Sequence, residues 1–341
     1  MSSLFGKLRY LFFNFLPDQF FSKIPETHED LRGRTYIVTG SNVGLGLAAA
    51  THLARMKPER LILAVRDVGK GEAAKAEIVA ETGYEGKLEV WVLDMGSWES
   101  VKAFAERANN ELERLDGALL NAGLNTPKWQ VTRDGWENIL QVNTIATGLL
   151  GVLLLPILQK TASLPTPLPD APKIAPHLTM TGSAAQFFAD FPEMKLTSNL
   201  LKTLNDESKC KHGDRYPISK LLLNLQTRKI AQLPAAKDVV VNVTDPGLCI
   251  TSIGRDFELK NWVLTILNFV AWSAPKGAWN MIWTLLNPTP PGAWTTSCEV
   301  RKDIAWSYTK DAERVQELLW AESVELWTGV APNVAEIVKT A

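Results

Sequence analysis

Tyr216 and Lys220 are the residues of this sequence best suited to moving a proton. They lie four apart in a stretch, Tyr216 to Gln232, whose pattern predicts a helix, so their side chains share a face. A phenol titrates near ~10 and is a poor proton donor or acceptor at neutral pH. An ammonium beside it favours phenolate, and a shift of about three units is worth ~4 kcal/mol of differential interaction. Such a shift brings Tyr216 toward the range where general acid–base catalysis works. A Y-x3-K pair is common by chance, so its meaning depends on its companions. Ser183, in Thr181-Gly182-Ser183, follows a predicted strand and carries a hydroxyl suited to a substrate oxygen beside Tyr216. A plain turn serine is the alternative, since the two are 33 residues apart. Asn143 falls inside a predicted helix, where Asn has poor propensity. It reads either as a water-binding residue that passes protons to Lys220 or as a kink or buried hydrogen bond.

A second set of residues has the chemistry of a dinucleotide site. Thr39-Gly40-Ser41-Asn42-Val43-Gly44-Leu45-Gly46 follows a predicted strand and opens a predicted helix. Glycines allow a tight turn and close backbone approach to a pyrophosphate, and a helix N-terminus favours negative charge. The spacing is G-x3-G-x-G, not the G-x-G-x-x-G of the commoner dinucleotide fold. The second strand ends in Ala64-Val65-Arg66-Asp67, with no acid to take a ribose 2′-hydroxyl. Arg66 instead suits a 2′-phosphate, because its guanidinium binds bidentately. The cofactor expected is therefore NADP(H), with NAD(H) second. A solvated arginine, partly neutralised by Asp67, is the bland alternative. Asp94 and Met95 end the third strand, where an acid could lie near an adenine. Asn121-Ala122-Gly123 ends the fourth, with small residues that let a ribose lie close. Pro246-Gly247-Leu248 makes a turn after the sixth strand, and Thr251 follows within reach of a carboxamide.

The elements that must position these groups alternate. Strands are predicted at Thr35–Val38, Leu61–Val65, Leu88–Leu93, Gly117–Leu120, Leu178–Thr181 and Val239–Val243. Helices are predicted at Leu47–Met56, Lys70–Thr82, Ser97–Arg114 (Ser97 the N-cap) and about Gly135–Gln159. This order predicts an α/β fold, a Rossmann-type doubly wound parallel sheet with helices on both faces. Leu164 to Pro176 carries five prolines and reads as a surface loop. From Arg255 onward the pattern loosens, and eight of the twelve tryptophans fall between Trp262 and Trp327. An aromatic-rich C-terminal helical substrate region is expected, its rings serving as core or as the wall of an apolar pocket. Residues 1–33 read as an N-terminal aromatic arm and 34–341 as a single catalytic domain. Substrate-lid segments are expected at about 190–215 and 252–300.

Composition narrows the partners. The 341 residues carry a net charge of −1, which gives no electrostatic basis for nucleic-acid binding. Cys210, Cys249 and Cys298 form no CxxC, and the four histidines have no ligand spacing, so neither a disulfide framework nor a metal site is expected. Thiols of this kind suit a reducing, cytoplasmic compartment. Leu4 to Phe21 is rich in Leu and Phe, but Asn14, Pro17, Asp18 and Gln19 interrupt it. That argues against a signal peptide or a membrane span. Two readings remain: an arm packed on the body or on a partner subunit, and an amphipathic anchor on a membrane surface.

Together, these residues resemble the short-chain dehydrogenase/reductase superfamily along residues 34 to 254. Gly40, Gly44 and Gly46 match its cofactor turn, Asn121-Ala122-Gly123 its strand-end motif, and Asn143, Ser183, Tyr216 and Lys220 its catalytic tetrad. Tyr216-Pro217-Ile218-Ser219-Lys220-Leu221-Leu222, Leu63-Ala64-Val65-Arg66 and Leu319-Trp320-Ala321-Glu322-Ser323 resemble the retinol-dehydrogenase-like branch, and most of all its fungal members. The resemblance implies an oxidoreductase acting on an apolar small molecule, a polyketide or terpenoid intermediate of fungal secondary metabolism. It also implies a homo-oligomer as one state of the chain and a monomer as the other. Isomerisation, epimerisation or dehydration at the same Tyr/Lys pair stays open, as does a non-catalytic NADP(H)-sensing scaffold. Three features depart from the pattern. The Ser183–Tyr216 interval is long, Asp245 stands where Asn is frequent before Pro-Gly, and Gly182-Ser183 replaces the usual paired serines.

Overall fold

Every residue of Thr35–Thr39 (β1) is buried, as a strand covered by helices on both faces must be. The computed structural model describes residues 4–170, 173–254, 256–257 and 260–339. Parts of the arm, of the proline-rich loop and of the expected 252–300 lid therefore lie outside the described residues. The other strands are β2 (Arg60–Val65), β3 (Lys87–Val92), β4 (Gly117–Leu120), β5 (His177–Thr181), β6 (Val240–Asp245), β7 (Ala293–Thr296) and β8 (Glu299–Arg301). They form one sheet in the order β3-β2-β1-β4-β5-β6-β7-β8, parallel except for the antiparallel β7–β8 pair. The fold is the Rossmann-type α/β sheet that the sequence predicts. Chain order reverses beside β1, between β2 and β4, and a crevice forms there at the carboxyl ends of the strands.

Side-chain alternation builds a core on each face. Tyr36 and Val38 of β1 and Leu119 of β4 pack with Leu53, Ile282 and Leu285, from helices α1 (Gly44–Arg55) and, later in the chain, Ala274–Leu286. Ile37, Ala118 and Leu120 face the other way, onto Phe104, Leu149 and Leu222. These belong to the helices Trp98–Glu111, Asn138–Ala162 and His212–Ile230. Asn138–Ala162 is long and apolar enough to cross a membrane, but 94% of its apolar window is buried inside the protein. A helix enclosed on nearly all sides is apolar all round for that reason.

The boundaries differ from the sequence reading where local chemistry intervenes. The long helix starts at Asn138 because Gly135 has φ +83° and Glu137 caps the start, its carboxylate accepting from the Ile139 and Leu140 N–H groups. Five of its residues, Gln141–Ile145, form a π turn around Asn143. The Tyr216 helix begins a turn early, at His212, so Tyr216 and Lys220 are both interior to it. The largest correction lies in the C-terminal region. The expected helical lid contains β7 and β8, strands too short and too close to Pro290-Pro291-Gly292 to show in the sequence. Five of the eight C-terminal tryptophans, Trp272, Trp279, Trp294, Trp306 and Trp327, are buried. The 190–215 segment is an insert fastened to the last long helix (Lys310–Val330). There, Glu322 accepts from the Leu200 and Leu201 N–H groups, and Arg314 donates to the Met194 and Leu196 carbonyls. The arm is helical from Leu4 to Phe21 and touches the body. Tyr10 stacks on Phe187 with ring centroids 3.7 Å apart, while Phe5, Phe12, Phe13 and Phe21 face outward.

Trp327 joins the last long helix to the π turn. Its indole N–H donates to the Ile145 carbonyl at 3.0 Å, and its ring closes over Gly148. Trp327→Ala is expected to lower the unfolding free energy by about 3–5 kcal/mol, the usual cost of emptying a large buried aromatic site. Urea denaturation followed by circular dichroism measures this, and a loss below about 1 kcal/mol would mean that the site collapses without it.

Candidate active site

The glycine turn is shaped by what lies against it. Gly40 and Gly44 have φ of +66° and +61°, a region that side chains avoid. A Cβ on Gly46 would lie 2.3 Å from the Gly40 carbonyl oxygen and 2.6 Å from Asn121 Nδ2, so only glycine fits there. Asn121 Nδ2 donates to the Thr39 carbonyl at 3.0 Å, and the Ala122 N–H to the Thr39 hydroxyl at 2.9 Å. These bonds tie the end of β4 to the turn after β1. Val43, the N-cap of α1, makes no side-chain capping bond, and the buried Ser41 hydroxyl has no partner among the described residues.

This turn borders a cleft of about 760 Å³ at the strand ends. Gly40, Asn42, Val43, Gly44, Leu45, Gly46, Arg66, Asp94, Met95, Asn121, Ala122, Gly123 and Thr251 line it. Ser41 lies buried beneath the turn, and Pro246, Gly247 and Leu248 stand outside the lining. Arg66 is exposed at the rim. Asp67 caps the next helix, Val68–Thr82, by accepting from the Lys70 N–H at 3.1 Å, so its carboxylate is turned to the backbone. Uncapped helix amides, an unpartnered buried hydroxyl and a cationic rim form a cradle that fits a phosphorylated dinucleotide. The sequence reading missed the far wall, formed by Asn125, Gln130, Thr132, Arg133 and Asn138. All but Asn138, which opens the long helix, sit in an irregular loop with no motif to mark them.

The four candidate catalytic residues, Tyr216 and Lys220 among them, stand outside the lining of the cleft, and two of them lie directly behind its Gly123. A Cβ placed on that glycine would lie 3.2 Å from Asn143 Oδ1 and 3.6 Å from Lys220 Nζ. Asn143 is fully engaged: Nδ2 donates to the Leu124 carbonyl at 2.9 Å and to Ser219 Oγ at 3.1 Å, and Oδ1 accepts from the Leu124 N–H. Its side chain therefore braces the segment after β4 against the Tyr216 helix. Lys220 Nζ donates to the Thr181 carbonyl at 2.7 Å, next to Ser183, and stands 5.7 Å from the centre of the Tyr216 ring. Ser183 accepts from the Ala185 N–H at 3.1 Å and is hydrogen-bonded to the Tyr216 phenol.

The electrostatics differ from the simple expectation for a Tyr–Lys pair. Burial pushes Tyr216 up to about 12, with the Ser183 hydrogen bond opposing and the Asp245 charge adding to the rise. Burial lowers Lys220 to about 8, against the pull of Asp245. Desolvation of the phenol thus outweighs a neighbouring ammonium that is directed at a backbone carbonyl. Asp245, noted in the sequence only as a departure from Asn, is 4% exposed. Its Oδ1 accepts from the Ala184 and Gly247 N–H groups and its Oδ2 from the Thr296 hydroxyl, while burial raises it to about 6.

Known proteins are similar to this chain in sequence and in fold. A family model described as short chain dehydrogenase matches residues 34–163. A short chain dehydrogenase/reductase of Cryptosporiopsis sp. is 33% identical, over 94% of this chain and 98% of that one. A short chain dehydrogenase of Penicillium oxalicum is 39% identical, over 77% of this chain and 86% of its own. Among solved structures, the short-chain dehydrogenase from Sphingobium yanoikuyae in complex with NADPH superposes with a TM-score of 0.54 at 17% identity, over 72% of this chain and 81% of that one. Salutaridine reductase from Papaver somniferum gives 0.54 at 20% identity, over 76% and 99%. At these identities, the structures show a shared fold.

The raised Asp245 carboxyl makes a pH prediction. Between pH 3.8 and about 6 the folded protein keeps a proton that the unfolded chain has released, so stability falls as pH rises through that window. Asp245→Asn keeps the hydrogen-bonding shape without the charge. Its stability relative to the wild type is expected to rise by roughly 2–4 kcal/mol from pH 4 to pH 7 in urea denaturation. A constant difference across that range would show that the three donors offset the cost of burial.

Proposed function

This chain belongs to the short-chain dehydrogenase/reductase family, and on that premise we propose that it is an NADP(H)-dependent enzyme interconverting a carbonyl and a secondary alcohol on an apolar small molecule. Similarity to fungal relatives supports a polyketide or terpenoid intermediate of secondary metabolism as the substrate class. The observation that supports the reading is that Asn143 and Lys220 stand behind Gly123 of the cleft, with Lys220 5.7 Å from the centre of the Tyr216 ring and bonded to the carbonyl of Thr181, two residues before Ser183.

The first-turn amides of α1 and the glycine turn would hold the pyrophosphate, and Arg66 the 2′-phosphate. When bound, the nicotinamide supplies hydride to the carbonyl carbon or accepts it from the alcohol. Ser183 donates a hydrogen bond to the substrate oxygen. Tyr216 gives that oxygen its phenolic proton as alkoxide character develops. An alkoxide is a much stronger base than phenolate, so even a phenol raised to about 12 transfers its proton downhill. Lys220, lowered to about 8 and still mostly charged at neutral pH, stabilises the phenolate left behind and returns a proton that comes ultimately from solvent. Asn143 holds the Tyr216 helix against β4 during this exchange. Oxidation runs the same steps in reverse.

Titration of the tryptophan fluorescence with NADPH and NADH is expected to show at least about tenfold tighter binding of NADPH. In Arg66→Ala that preference should fall close to parity. A wild type that binds the two equally would remove NADP(H) as the preferred cofactor. In Tyr216→Phe, NADPH consumption with a panel of cyclic ketones and quinones should drop by ~10²–10⁴-fold while NADPH binding persists. Retained turnover in that variant would assign the proton transfer elsewhere.

A further inference from the structure

The N-terminal arm reaches the active site through one side chain. Gln19 is 3% exposed, although the neighbouring Phe20 and Phe21 face solvent. Its Nε2 donates to the Leu248 carbonyl at 2.9 Å and to the Val270 carbonyl at 3.0 Å, and its Oε1 accepts from the Leu248 N–H at 3.1 Å. Its backbone carbonyl accepts the Trp272 indole N–H at 2.6 Å. The amide therefore mimics a peptide group and fastens Leu248, after the Pro-Gly turn, to Val270, at the end of the helix Asn261–Val270.

The Leu248 segment leads from the Pro-Gly turn, which stands outside the cleft lining, to Thr251 within it. Gly247 has φ +78°, and the Trp272 ring lies against it, 2.8 Å from where a Cβ would stand. Four residues on, Thr251 lines the cleft, its Cβ 3.6 Å from the position a Cβ would take on Gly44 of the glycine turn. The Leu248 backbone also pairs with Trp272, and Trp272 with Ile250, so the segment from Gly247 to Thr251 is held as a unit. Two further contacts fix the arm itself: the Arg301–Asp18 ion pair and the stacking of Tyr10 on Phe187. Without Gln19, the Leu248 N–H and the Val270 carbonyl would lose their partner and the Leu248 carbonyl one of its two, in a partly buried place, and the segment would have to shift to satisfy them.

We propose that Gln19 is a positioning residue for the Pro246–Thr251 segment, so that the N-terminal arm sets how the nicotinamide half of the cofactor is held. This rests on the cofactor reading given above. Gln19 is suited to the role by a chemistry that few side chains share, two donated bonds and one accepted bond from a single planar group.

The test compares NADPH with adenosine 2′,5′-bisphosphate, which contains only the adenine-side half, on full-length wild type, Gln19→Met and Gln19→Glu. Methionine keeps the length and loses all three bonds, and glutamate cannot donate to the two carbonyls. Both variants are expected to bind the bisphosphate within about twofold of wild type and NADPH about tenfold more weakly, a difference of ~1.4 kcal/mol. Trp272→Phe, which removes the indole donor to the Gln19 carbonyl and part of the ring that lies against Gly247, should shift NADPH binding in the same direction. Variants that bind both ligands as the wild type does, or lose both equally, overturn the positioning role alone. A wild type that binds neither ligand overturns the cofactor reading and the positioning role with it.

Discussion

One buried carboxylate holds the substrate end of this protein together. Asp245 closes β6 and accepts hydrogen bonds from the turn after Ser183, from the Pro-Gly turn and from β7. Asn280, from the helix beneath, donates to its backbone carbonyl. Three segments far apart in sequence, and the turn that follows directly, are thereby fixed to one residue. The cost is a charge in a poorly solvated place, which raises its own pKa and adds to the rise at Tyr216. The same charge works against the loss of the Lys220 proton. Asparagine could make similar hydrogen bonds, but it would not supply that field.

The opposite end of the cleft obeys a steric constraint. The turn after β1 and the end of β4 approach so closely that a single methyl group at Gly46 would meet both Gly40 and Asn121. Close approach also exposes unshared backbone amides at the start of α1, where a phosphate would sit. Steric exclusion at one end and electrostatic organisation at the other leave the middle, around Gly123, free for the reacting groups.

Much of this was legible in the sequence because strand–turn–helix units impose periodicity and fixed glycine positions. The order of the first six strands, the lining by Gly40, Gly44, Arg66 and Asn121, and the shared face of Tyr216 and Lys220 all follow from local rules. What the sequence hid depends on long-range contacts. β7 and β8 are too short for periodicity, and their place is set by pairing with β6. The burial that raises Tyr216 comes from the assembled fold, whereas the i, i+4 spacing suggests only the neighbouring ammonium. Gln19 looks like an interruption in an apolar run, and its meaning appears only beside Leu248, 229 residues away. The tryptophans suggested a pocket wall, yet rings such as Trp294 and Trp327 are needed to fill the space between sheet and helices.

The last strand has a consequence for how copies of the chain can meet. A parallel sheet ending at β7 would present a bare row of backbone donors and acceptors to any other extended chain. β8 covers that row with only three residues, two of them charged, and Arg301 among them is already paired with Asp18 of the arm. An incoming strand would find too short a template and would have to displace that ion pair. The short, charged strand thus protects the sheet on this side against extension by another chain.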